Sequence, residues 1–139
     1  VVRQRRRVGR LSWRGFSVRV LREGGDLPVF LAESLGGWFK GNDPTVRVDV
    51  LKHRWLADSP VLYIGKAGTS LRTRVRALVD YGGGRPVGHQ GGRYLWQIAG
   101  CESFLVAWLP AQDARRLESS LFNSFEAAHG QLPYANLSH

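Results

Sequence analysis

The chain has 139 residues, 43% of them hydrophobic and 22% charged, the profile of one domain able to bury a single core. Its formal charge of +9 favours a polyanionic partner; no apolar run approaches the roughly 18 residues of a membrane span, and arginines stand where a secretory signal would be apolar. Cys101 is the one cysteine and no Cys/His spacing resembles a zinc site, which excludes an internal disulfide and leads us to expect a reducing, cytoplasmic setting. The sequence opens on Val1 and contains no methionine, so an excised domain or a processed chain is expected.

Arg3, Arg5, Arg6, Arg7, Arg10, Arg14 and Arg19 fall within the first twenty residues with no acidic residue among them. We read residues 1–15 as a basic arm and 16–139 as the folded domain. Neutralising phosphates releases condensed counterions, so Arg5, Arg6 and Arg7 are candidate backbone contacts to nucleic acid. The plainer alternative is a solvated arm kept for solubility. Phe16 to Leu21 alternates as a strand does, and Glu23-Gly24-Gly25-Asp26 reads as a turn. Leu27 to Leu31 is a second candidate strand, residues 36–45 carry the turn chemistry of an inserted loop, and Asp49 to Trp55 suits a short helix. Ser59 to Gly65 is an apolar run after proline that ends in glycine, which predicts a buried strand.

Thr69 or Ser70 caps a helix predicted from about Leu71 to Tyr81, stopped by Gly82-Gly83-Gly84. Leu71, Val75, Leu78 and Val79 form its apolar stripe, with Arg74 on one edge and Arg72 on the other. Residues 82–93 form a Gly/Arg/His-rich loop, Tyr94 to Ile98 suits a short strand or helix, and Phe104 to Trp108 reads as a strand ending before Pro110. Asp113 then caps a helix from Ala114 to His129 that Gly130 closes. Leu117, Leu121, Phe122, Phe125 and Ala128 make its stripe, and at about 100° per residue Glu118 falls inside it. Burying that carboxylate costs several kcal/mol unless a cation compensates. The compensating group is either a metal ion or a core-edge arginine such as Arg74.

Tyr63-Ile64-Gly65-Lys66-Ala67, then Leu71-Arg72-Thr73-Arg74 on the following helix, Glu118 on a late helix and Pro133-Tyr134-Ala135-Asn136 near the end together resemble the GIY-YIG nuclease superfamily. The block from Tyr63 to Arg74 is similar to the N-terminal nuclease domain of the UvrC-type excision-repair enzymes. The resemblance spans Leu27 to Asn136, its specific part being Tyr63 to Arg74. It implies an α+β fold: a small central antiparallel sheet of about three strands flanked by helices, with an insertion between the two motif strands. It also implies a metal-dependent endonuclease acting on double-stranded DNA, leaving a 5′-phosphate and a 3′-hydroxyl. In the roles so implied, Tyr63 is the second-motif phenol, Gly65 permits close approach, Arg74 contacts the scissile phosphate, Glu118 is the sole protein ligand of Mg²⁺ or substituting Mn²⁺, and Asn136 supports the site.

These residue types suit phosphodiester hydrolysis, which needs an activated water and neutralised phosphate charge. Lys66 is expected to lower the Tyr63 phenol's pKa and make it a general base. Arg72 and Arg76, one helical turn apart, are further phosphate contacts. The chain departs from the family at the first motif: Phe30, in the candidate strand Leu27 to Leu31 that is expected to pair beside the Tyr63 strand, stands where a tyrosine belongs, because all four tyrosines lie at or after position 63. His89 is a candidate substitute base, or else an ordinary surface histidine. The competing function is a nuclease-fold DNA-binding module that no longer cleaves, and a third is a basic RNA-associated protein, which leaves Glu118 unexplained.

Overall fold

A computed structural model describes residues 2–4, 15–24, 27–38, 40–68, 70–85 and 90–138. Arg5, Arg6, Arg7 and His89, with most of the basic arm, lie outside these residues. In chain order the elements are β1 (Val2–Gln4), β2 (Gly15–Leu21), α1 (Val48–Arg54), β3 (Val61–Ala67), α2 (Leu71–Gly82), 3₁₀ segments over Gln90–Gln97 and Cys101–Ser103, β4 (Leu105–Ala111) and α3 (Ala114–His129). The fold is α+β, as expected. Strands run in the order β1-β4-β2-β3, with β2 antiparallel to both β3 and β4. β1 adds a fourth, parallel strand against Leu105 to Ala107, so the first residues of the expected arm belong to the sheet.

The strand beside β3 is β2, and this corrects the expected pairing of Leu27–Leu31 with the Tyr63 strand. Val20 faces Tyr63 across that pair, Val18 faces Gly65 and Ser17 faces Lys66. The segment 27–31 contains Pro28, which lacks a backbone donor, and it makes only an isolated antiparallel bridge between Phe30 and Ile98. The connection between the paired strands is therefore 22–60. Gln97, fully buried, ties its middle to the core: its side chain donates to Leu31 O (2.9 Å) and Val46 O (2.7 Å) and accepts from Val46 N (3.0 Å).

β4 continues through Pro110 instead of stopping before it as expected. Pro110 pairs with Phe16 on the β2 side, while β1 covers only Leu105 to Ala107. The loop expected over 82–93 also ends early, since Gln90 to Gln97 is 3₁₀ helix.

Both long helices begin as their caps dictate. Ser70 accepts from Thr73 N and Asp113 from Arg116 N, and Gly130 ends α3 at φ 75°. Side chains alternate across β3 and divide the core between two faces. Tyr63 and Ala67 pack with Val18, Val20, Val75, Leu78 and Tyr81 on the α2 side. Ile64 packs with Phe122 and Phe125 of α3 on the other. Val79 and Ala128, expected in the stripes, are exposed; Tyr81 instead completes the α2 face.

Candidate active site

β3 is a sheet edge, and the last residues of the chain close it. Ala135 N donates to Leu62 O (2.8 Å), and then the Asn136 side chain takes over, accepting from Ile64 N (2.9 Å) and donating to Ile64 O (2.8 Å). One amide thus satisfies both backbone groups of a residue that is only 4% exposed. Arg54, at the end of α1, fixes this terminal segment. It donates to Tyr134 O (2.9 Å), Pro133 O (3.3 Å) and Asn136 O.

Around that edge the two faces of β3 meet. From the α2 side, Arg74 Nη2 donates to the Tyr63 hydroxyl at 3.3 Å. A Cβ placed on Gly65 would sit 2.8 Å from Tyr63 Cε1, so a larger residue there would push the tyrosine ring off its place over the strand. From the α3 side, Lys66 Nζ lies 3.0 Å from Glu118 Oε1. Glu118 therefore has a cation, but it is Lys66 and not Arg74. A pocket of about 170 Å³ opens beside Tyr63 and Glu118, with Ile64, Phe122, Asn136, Leu137 and Ser138 completing its lining.

Burial is the main influence on Tyr63 and pushes its phenol above the ordinary 10.0; the Arg74 charge and hydrogen bond oppose this, Glu118 adds to it, and Lys66 exerts the smallest, downward effect. The direction is opposite to the expected lowering by Lys66. Tyr63 is a neutral phenol at neutral pH, able to accept from Arg74 while offering its own proton.

Phe30, Arg72 and Arg76 are not among the residues that line this pocket. Phe30 stacks in an aromatic cluster, 6.0 Å from Trp55 and 6.2 Å from Tyr134 by ring centroids. Arg72 and Arg76 are exposed on α2. Phe122 was legible only as core, and Leu137, Ser138 and Arg54 carried no signal. Arg54 meets its partners 79 to 82 residues away in sequence.

Among the described residues no group of three or more His, Cys, Asp and Glu side chains stands together. A divalent ion here would have Glu118 as its one carboxylate. That donor set fits Mg²⁺, which keeps several of its waters, and the pocket has room for them at about 30 Å³ each. Both ends of the Asn136 amide bond Ile64, which gives this side chain a positioning role. No protein-family model, no curated protein and no solved structure matches the chain.

Proposed function

We propose that this chain is a GIY-YIG-type endonuclease domain that hydrolyses phosphodiester bonds of double-stranded DNA, leaving a 5′-phosphate and a 3′-hydroxyl. One observation carries the reading: Tyr63, which Arg74 contacts from the α2 side, and Glu118, which Lys66 contacts from the α3 side, both line one pocket at the edge of β3. Those are the residues the Tyr63–Arg74 resemblance singles out. The net charge of +9 suits a polyanion, and the lone buried Cys101 suits a reducing, cytoplasmic setting.

In this mechanism the Arg74 guanidinium, half-buried beside Tyr63, takes a non-bridging oxygen of the scissile phosphate and stabilises the charge that builds there. The neutral Tyr63 hydroxyl, held by Arg74, orients the attacking water or protonates an oxygen of the reacting group. Asn136 keeps Ile64, and with it Tyr63 and Gly65, in register. Glu118 would hold a divalent ion, Mg²⁺ or Mn²⁺, which when bound supplies Lewis-acid charge and a more acidic water. The Lys66–Glu118 pair favours the second reading, a DNA-binding module that does not cleave, since Glu118 is already neutralised and Val20 offers no phenol opposite Tyr63.

Incubation with supercoiled plasmid distinguishes them. Cleavage predicts nicked and linear forms with Mg²⁺ or Mn²⁺ and none with chelator. Binding that is independent of divalent ions, with the plasmid left intact in all three, supports the module.

A further inference from the structure

Lys66 and Glu118 meet from two elements with unequal freedom. Glu118 is set in α3 among Leu117, Leu121 and Phe122, and only 17% of its side chain is exposed, against 45% for Lys66. The carboxylate is fixed by its helix, whereas the lysine is a flexible four-carbon stem with rotatable donors. A divalent ion on the same carboxylate would place two cations side by side, and like charges a few ångströms apart repel. Of the two groups facing each other, Lys66 is the one able to leave.

The geometry points to Lys66 as a placeholder cation: it neutralises Glu118 while no ion is bound, and turns to a phosphate oxygen when ion and nucleic acid enter. This rests on reading Glu118 as the carboxylate that holds the ion. A free ion must then displace Lys66 and binds weakly. A phosphate-bearing ligand that draws Lys66 away raises ion affinity, and by linkage the ion raises the affinity for that ligand by the same factor.

The test is calorimetric titration with Mn²⁺, without nucleic acid, of the wild-type chain, Lys66→Met, Lys66→Gln and Glu118→Gln, with thermal unfolding of each in chelator. Lys66→Met keeps the side chain's length and loses its charge, and Lys66→Gln serves if that variant does not fold. Both lysine variants should bind Mn²⁺ roughly two- to fivefold tighter, the scale of competition from a part-exposed ion pair. Glu118→Gln should lose the binding. In chelator the lysine variants should unfold at lower temperature, since Glu118 is left without its cation. Binding by the lysine variants where wild type binds none also supports the placeholder. Unchanged or weaker Mn²⁺ binding in both lysine variants, with Glu118-dependent binding in wild type, overturns the placeholder and leaves the ion site standing. No Mn²⁺ binding in any of the four overturns both.

Discussion

Asn136→Ala isolates the part of the site that rests on backbone hydrogen bonding. The wild-type amide bonds Ile64 N at 2.9 Å and Ile64 O at 2.8 Å, and both Asn136 and Ile64 are buried. Alanine leaves a donor and an acceptor unpaired at the edge of β3. Each unpaired buried group costs about 1–3 kcal/mol, so the loss should be about 2–5 kcal/mol, the lower end applying if water reaches one of them. Against a domain stability of about 5–15 kcal/mol the variant still folds, with a clearly lower urea midpoint. Asn136→Asp should be no milder than alanine: a carboxylate still accepts from Ile64 N but sets a buried, uncompensated charge against Ile64 O. Urea unfolding followed by circular dichroism measures all three. A loss below about 0.5 kcal/mol for Asn136→Ala, with unchanged slope, would refute the idea that this side chain closes the sheet edge.

Arg74→Ala should lower turnover about 10² to 10³-fold with little change in DNA affinity, as expected when one transition-state donor is removed; a defect confined to KM would place Arg74 in binding alone. Tyr63→Phe should also lower turnover, while Phe30→Tyr should not raise it, because Phe30 packs against Trp55 and Tyr134; single-turnover cleavage rates check both. Burial lifts Tyr81 and Tyr134 above their ordinary 10.0 and Cys101 above 9.0. The unfolded chain gives up these protons first, so stability should be fully kept below about pH 9 and lost as pH rises beyond it. Urea midpoints that stay level up to about pH 11 would contradict that burial.

The caps and stripes of α2 and α3 could be read directly because they are local: Ser70, Asp113 and Gly130 act within a few residues of themselves. Glu118 stood out in the sequence because a carboxylate in an apolar stripe demands a cation, though periodicity alone could not distinguish Lys66 from Arg74 as its partner. Strand pairing was harder. Leu27–Leu31 and Gly15–Leu21 both look like short strands, and the choice between them depends on Ile98 and Gln97 catching the former at long range. The same limit hid Arg54 and Gln97, whose carbonyl partners lie far along the chain and leave no local pattern. Arg5, Arg6, Arg7 and His89 remain expectations from the sequence, outside the described residues.

The central claim is hydrolysis of DNA with Glu118 holding the required ion. The most direct measurement is cleavage of an end-labelled DNA duplex in Mg²⁺ by wild type and Glu118→Gln, with product ends identified and DNA affinity measured in parallel. Wild type should leave 5′-phosphate and 3′-hydroxyl ends, and Glu118→Gln should not cleave while binding with equal or higher affinity, because a negative charge facing the phosphates is gone. Equal cleavage by both proteins, or an intact duplex under wild type at saturating Mg²⁺, would contradict it.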